Sequence, residues 1–215
     1  MKTNQEYKNA ALAALKGKWA PAVLCSVVYI LVAGVYSGLT SVPEPEDITL
    51  WVCIASSIFS ILVMYPFEVG YYNAYRALLN EGDDKILQNS FRMGFKKAWA
   101  HNALGMFLMV IYVCLWAILF IVPGIIKAFA YALTPYILVD KPELSVNKAI
   151  DLSIAMMKGH KFDLFWLSLS FLGWILLSIL TLGIGLFWLM PYMSTAMAAF
   201  YEDVKADYEA KTANV

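Results

Sequence analysis

The sequence predicts an all-α membrane protein, a polytopic transmembrane bundle of six spans accompanied by three interfacial amphipathic helices. Three observations support this fold class: residues 164–201 contain no charged side chain and no histidine, 61% of all residues are apolar while 15% are charged, and the basic residues gather at one end of the expected spans. A soluble domain carries about 25% charged residues, and the mean hydropathy of this chain is +0.64. We expect a single integral membrane domain over residues 1–215.

The uncharged stretch at 164–201 is long enough for two spans, because about 20 apolar helical residues cross a hydrocarbon core of about 30 Å. The glycine-containing sequence TLGIG at 181–185 favours a turn between them. The same criterion places the other four spans at 19–39, 48–67, 102–122 and 125–139. We expect an acidic, proline-containing loop at 43–47 and a tight reversal at Pro123-Gly124.

Three more polar segments carry an apolar residue about every four positions, which is the spacing of one face of an α-helix. Thr3 and Glu6 also have the spacing of a capping box at the start of the first segment. We expect all three segments to lie on the membrane surface. Their apolar stripes consist of Tyr7, Ala11, Leu15 and Trp19, of Leu87, Phe91, Phe95 and Trp99, and of Val146, Ile150, Ile154 and Met157.

The basic residues predict the orientation, because lysine and arginine near the ends of spans stay on the cytoplasmic side. With the N-terminus inside, the inner segments hold 15 of the 16 lysine and arginine residues. The remaining one, Lys127, lies just beyond an outer connection. Six spans with both termini in the cytoplasm is therefore the expected topology.

The chain also suggests a pseudo-threefold repeat with units at 1–80, 81–140 and 141–215. Each unit would consist of an amphipathic inner helix, an outward span, a short turn, and an inward span with a proline followed by an aromatic ring. The prolines are Pro66, Pro135 and Pro191, followed by Phe67, Tyr136 and Tyr192. Sites in membrane proteins often lie where repeats meet, at proline-broken helices. The alternative is that apolar helices with a proline resemble one another by chance.

The segments SIAMMKGHKFDLFWLSLSFLGW and TLGIGLFWLMPYMSTAMAAFYED, together with LKGKW near the N-terminus, resemble the signature of DUF975, a bacterial family of integral membrane proteins of unknown function. The resemblance covers most of the chain. It implies a location in the bacterial cytoplasmic (inner) membrane, and it transfers no catalytic residue. Members are also distantly similar to the membrane domains fused to some glycerophosphodiester phosphodiesterases.

Glu68 is the best ionisable candidate for function, because a carboxylate at membrane depth is costly unless it is paired or hydrated and often marks an ion or proton path. An interfacial carboxylate in a helix that leaves the membrane is the alternative. Lys127 could bind an anionic head group or substrate, or it could extend to the outer interface without a ligand. Gly159, His160 and Lys161 could hold a phosphate, although such a junction also anchors helices at the head groups.

The three prolines, together with Tyr136 and Tyr192, could line a central cavity as hinges, or they could be packing kinks alone. No enzyme is indicated, because the sequence contains no HExxH, GxSxG or Walker motif. We expect no metal and no cofactor. Cys25, Cys53 and Cys114 lie in apolar runs and show no disulfide or zinc spacing.

The net charge of zero gives no field that would attract nucleic acid, so the expected partners are membrane lipids or other membrane proteins. The first functional hypothesis is a lipid-interacting or partner-binding membrane scaffold without a catalytic site. The alternative is a small transporter or channel for a hydrophobic or small solute, which would use the interface between the repeats. A lipid-modifying enzyme ranks last, because it rests only on the remote similarity to phosphodiesterase membrane domains.

Overall fold

A computed structural model describes residues 1–40, 46–96 and 98–213, and every element in these ranges is helical. The predicted all-α class is confirmed. The part of the expected acidic loop at 41–45 lies outside the described residues, whereas Glu46 and Asp47 form the start of a helix.

The helices are numbered along the chain. Two π-helical turns, Ser60–Met64 and Arg92–Lys96, continue α3 into α4 and follow α5, respectively. The bounds are α1 Asn4–Leu15, α2 Trp19–Thr40, α3 Glu46–Phe59, α4 Tyr65–Glu81, α5 Ile86–Phe91, α6 Trp99–Leu119, α7 Ile121–Tyr131, α8 Thr134–Asp140, α9 Val146–Met156, α10 Lys161–Leu169, α11 Leu172–Leu180 and α12 Leu186–Ala213.

Five helical stretches among the described residues are long and apolar enough to cross a membrane. Most of their surface is not covered by the rest of the protein, since at most half of the most apolar window of each is buried. Exposed apolar surface of this extent is suited to lipid. The stretches are Trp19–Gly38, Leu50–Glu81, Trp99–Leu119, Ile121–Asp140 and Lys161–Leu180.

The sixth expected span lies in the first half of α12, which is not among those five stretches. This half runs through the core, where Leu189, Pro191 and Ala198 are buried. The second half of α12 carries charged residues and also contributes Phe200 and Val204 to the core. The count of six spans and the threefold repeat therefore stay predictions.

The turn between the last two apolar segments is confirmed, because α11 ends at Leu180 and α12 begins at Leu186. Leu182 and Gly183 have φ values of 53° and 86°, which reverse the chain.

The expected reversal at Pro123-Gly124 is wrong, because the chain turns at Phe120 and both residues belong to the first turn of α7. A proline is tolerated there, since the first N–H groups of a helix have no partner within the helix. Gly124 permits close packing instead of a turn: a Cβ at this position would lie 2.7 Å from the Cα of Ala117 on α6.

The apolar stripe of α1 packs on protein and not on lipid. Tyr7, Ala11 and Leu15 are at most 1% exposed, and α1 packs mainly against α12. The periodicity identified the buried residues correctly. It did not identify what covers them, because an apolar helix face has the same pattern against protein as against lipid.

The second amphipathic segment buries a different face from the predicted stripe. Ile86, Asn89, Ser90 and Gly94 are buried, whereas Phe91 is 45% exposed. The predicted stripe omitted this face because three of these four buried residues are polar or glycine. In the third segment, α9, Val146 and Ile150 are buried as expected.

Two glycines let α4 cross the second segment at very short distance. A Cβ on Gly70 would lie 1.9 Å from the backbone oxygen of Ser90, and a Cβ on Gly94 would lie 2.3 Å from that of Pro66. The crossing fixes α4, and therefore Glu68, against the rest of the bundle.

Candidate functional site

A cavity with a volume of about 660 Å³ lies between helices of all three expected repeat units. Its walls are mostly apolar or aromatic, and they include one carboxylate, that of Glu68. A volume of this size is typical of sites that bind small molecules. The lining residues are Tyr29, Glu68, Tyr71 and Tyr72 from the first unit, Met106, Met109, Ile125, Ala128, Phe129, Ala132, Pro135 and Tyr136 from the second, and Leu164, Leu167, Ser168, Phe171, Met190, Met193, Ser194 and Met197 from the third.

The cavity is accessible from the side of the bundle. Among its lining residues, only Ile125, Ala128 and Ser168 are exposed, the first two on α7 and the third on α10. Both helices belong to stretches apolar enough to cross a membrane. The exposed part of the cavity wall therefore lies on two helices that belong to apolar stretches.

Glu68 and four tyrosines form the polar part of the wall. The hydroxyl of Tyr72 donates to Oε1 of Glu68 at 3.3 Å. Tyr72 lies beside Tyr136, with ring centroids 5.9 Å apart, and the Tyr136 hydroxyl is buried without a hydrogen-bond partner. A buried hydroxyl without a partner is costly.

Five methionines face the same cavity: Met106, Met109, Met190, Met193 and Met197. Methionine is unbranched and polarisable, so it adapts to ligands of different shape. The sequence did not single out these residues, because they come from two distant segments. The repeated methionines at the start of α12 were the available signal.

Of the three candidate prolines, Pro135 lines the cavity, while Pro66 and Pro191 are buried elsewhere. Pro66 cannot bond the carbonyl of Leu62, which instead accepts a hydrogen bond from the indole Nε1 of Trp99 at 3.2 Å. The backbone oxygen of Pro135 accepts from Nδ2 of Asn73 at 2.8 Å, which ties α8 to α4. Pro66 and Pro135 thus contribute to contacts between helices.

The two aromatic candidates differ in their position. Tyr136 lines the cavity directly. Tyr192 lies behind the wall, with its ring edge to face on Phe171 at a centroid distance of 5.2 Å. The two rings are therefore not equivalent, although both follow a proline.

Lys127 is placed on aromatic rings of the bundle surface. Its ammonium lies 4.7 Å from the ring centroid of Trp116 and 5.9 Å from that of Tyr131. Cation–π contacts of this kind stabilise a lysine without an anionic ligand. The geometry favours anchoring over the binding of an anion.

The junction at Gly159, His160 and Lys161 places a histidine between two carboxylates. Gly159 has φ of +94°, which starts the turn into α10. Nδ1 of His160 lies 3.2 Å from Asp163, and Nε2 lies 3.0 Å from Asp207 on α12. Because both ring nitrogens face carboxylates, His160 supports helix anchoring and lends no support to a phosphate site there.

An ion cluster that sequence reasoning missed joins α4, the end of α8 and α12. Arg76 pairs with Asp140 at 2.8 Å and with Glu202, and Lys205 pairs with Asp140 at 2.6 Å. The Tyr201 hydroxyl donates to Asp140 at 3.0 Å. Arg76 and Glu202 are 126 positions apart in the sequence, so no local sequence pattern could have revealed this cluster.

A second polar contact ties the start of the chain to α12. The Tyr7 hydroxyl and the backbone N–H of Lys2 donate to Oδ2 of Asp203 at 2.6 and 2.8 Å. Burial opposes ionisation of Asp203, but these hydrogen bonds outweigh it and hold its pKa below the usual range. Burial and the neighbouring Asp203 raise the pKa of Tyr7, which therefore stays a donor.

The part of the chain that the structure describes contains no group of three or more His, Cys, Asp and Glu side chains placed to hold a metal ion. The expectation that the protein needs no metal or cofactor stays a prediction.

The architecture defines a helical protein with several apolar helices long enough to span a membrane and an internal, largely apolar cavity. The family model described as "Protein of unknown function (DUF975)" matches residues 48–208. The chain belongs to this family, as the sequence resemblance suggested. No curated protein and no solved structure matches it, and the expected similarity to phosphodiesterase membrane domains has no support.

Proposed function

We propose that this protein is a non-enzymatic, multi-pass protein of the bacterial inner membrane that binds a lipid or lipid-like molecule in the cavity beside Glu68. The observation that carries the proposal is the cavity of about 660 Å³ with mostly apolar walls and exposed lining residues between α7 and α10. Transfer of apolar groups from water into such walls is favourable. A ligand already in the bilayer gains from the packing and polar contacts that lipid does not offer.

Blocking the opening tests this proposal. Ala128 lies exposed at the opening, so Ala128→Trp would obstruct it with little effect on the buried core. Wild-type protein should retain a bound hydrophobic molecule in native mass spectrometry, and Ala128→Trp should lose it. Ile118 is 82% exposed and does not line the cavity, so Ile118→Trp is the matched control. Equal retention by all three proteins would contradict the proposal.

Passage of a hydrophobic solute is the second candidate function. It is favoured by the position of the cavity, because all three expected repeat units contribute to its wall, and transporter sites often lie between repeats. Solute flux into liposomes that contain the protein should fall in Glu68→Gln if the carboxylate contacts the solute. If the flux equals that of protein-free liposomes, transport is contradicted and ligand binding is the function that remains.

The proposed orientation places both termini in the cytoplasm, supported by the distribution of lysine and arginine. Leu182 is 94% and Phe120 is 71% exposed, and both lie in turns that would face outward. In a cysteine-free background, Leu182→Cys and Phe120→Cys should react with an impermeant thiol reagent added to intact cells. Asp84→Cys and Ser145→Cys should react only after lysis, and the reverse pattern would overturn the orientation.

A further inference from the structure

The charge of the cavity wall limits the ligands that it can take. Glu68 is the only charged residue among the lining residues, which include no lysine, arginine or histidine. In a site of low dielectric constant, one uncompensated carboxylate disfavours an anion and favours a cation. A phosphate or carboxylate group would find no opposite charge here.

Glu68 has room for a partner. A carboxylate can accept about four hydrogen bonds, and within the described residues Glu68 accepts one, from Tyr72 at 3.3 Å. Among the described residues, no basic side chain forms an ion pair with Glu68. A carboxylate in such surroundings is costly unless an opposite charge accompanies it.

Lys8, whose ammonium contacts a ring of the cavity wall, is already engaged. The Lys8 ammonium donates to the backbone oxygen of Ser170 at 2.7 Å, at the break between α10 and α11. It also lies 4.6 Å from the ring centroid of Phe171, whose ring contributes to the cavity. The Lys8 ammonium therefore binds a backbone oxygen and does not neutralise Glu68.

Aromatic rings around the carboxylate favour the same kind of ligand. The ring centroids of Tyr29 and Tyr71 lie 4.6 Å apart, and those of Tyr72 and Tyr136 lie 5.9 Å apart. All four rings belong to residues that line the cavity. The faces of such rings attract cations, most strongly where water is excluded.

We infer that the ligand is a lipophilic cation, an alkyl amine or alkylammonium whose chain packs against the methionines and whose charged end meets Glu68 and the tyrosines. This inference rests on the proposed function and specifies the chemical class that the cavity takes. The chain would reach the site from the bilayer between α7 and α10, with the charged end deepest.

Three probes with the same alkyl chain test the inference: dodecyltrimethylammonium, dodecanol and dodecanoate. Binding is measured by equilibrium dialysis of radiolabelled probe against the protein in phosphatidylcholine nanodiscs, with the obstructed Ala128→Trp protein as the baseline for partition into lipid. Wild-type protein should bind the ammonium at least about tenfold more tightly than the alcohol, and the carboxylate more weakly than both. Equal affinity for ammonium and carboxylate would overturn the inference.

Two charge-neutralising variants assign the effect. Glu68→Gln keeps the shape of the side chain, so it should lose about tenfold in ammonium affinity and keep its affinity for dodecanol. Retained dodecanol binding shows that the cavity is intact. Glu143 is exposed outside the cavity, and Glu143→Gln should match wild type. Unchanged ammonium affinity in Glu68→Gln contradicts the inference, whereas binding of all probes at the baseline level contradicts the proposed function itself.

Discussion

Gly70 shows how one residue can determine the distance between two helices. Its missing side chain lets the backbone of Ser90 and Gly94 lie against α4. Two residues later along the chain, Tyr72 meets Glu68 in the cavity. The crossing and the site therefore share one helix, and a change in the crossing would displace the site.

We expect Gly70→Ala to destabilise the protein by about 1–3 kcal/mol or more, because its methyl group would meet backbone atoms that cannot rotate away. Thermal unfolding in detergent micelles measures the effect. Gly38→Ala is the matched control, since nothing lies within 4 Å of a Cβ at this position. An unchanged unfolding temperature for Gly70→Ala would show that the helices separate freely.

Glu68 could be singled out from the sequence because a carboxylate beside a long apolar run is rare at membrane depth. The close helix crossing at Gly70 and Gly94 could not be predicted from the sequence, because the two glycines belong to different helices and neither lies in a local motif. The unsatisfied hydroxyl of Tyr136 is likewise a property of packing and has no sequence pattern.

At the scale of elements, α1 is held by an apolar stripe and by polar contacts at one end. Tyr7 packs its ring edge against Phe200 at a centroid distance of 5.6 Å and donates its hydroxyl to Asp203. The periodicity of α1 predicted its buried residues. The partner element, α12, follows almost 200 residues later and could not be read from that periodicity.

The attachment of α1 should depend on pH through Asp203. The folded protein holds the pKa of this carboxyl below the unfolded value of about 3.9. The stabilisation is therefore complete above that unfolded value and is lost as the pH falls through the lowered folded value. At neutral pH, Asp203→Asn should speed hydrogen exchange of the α1 amides about tenfold, since bonds to a charged acceptor become bonds to a neutral one.

Hydrogen exchange followed by mass spectrometry gives this measurement over a pH series. Asp151 is exposed on α9, so Asp151→Asn is the control and should leave α1 exchange unchanged. If wild type and Asp203→Asn exchange alike at neutral pH, the apolar stripe alone holds α1.

At the scale of the whole molecule, the ion cluster of Arg76, Asp140, Glu202 and Lys205 joins three helices that each contain one of the candidate prolines. The ion pairs thereby fix α4, α8 and α12 together. Helix positions were predictable from uncharged runs, to within a few residues in most cases. The pairing of the helices was not predictable, because apolar faces do not specify one another.

We expect Arg76→Met to lower the free energy of unfolding by about 2 kcal/mol or more. Methionine keeps the apolar stem, but it leaves two carboxylates that are partly buried without their shared donor. Chemical unfolding in micelles measures the change, with Lys148→Met on the exposed face of α9 as the control. A loss no greater than that of the control would mean that solvent replaces the ion pairs.

The contact between α1 and α12 has a consequence for biosynthesis. Ribosomes produce α1 first, yet the surface that receives it emerges only with one of the final segments. During translation the apolar face of α1 therefore stays uncovered by its partner until α12 has been synthesised. Joining these two distant segments is then a late step of assembly, and it places Lys8 at the break in α10 and α11 beside the finished cavity.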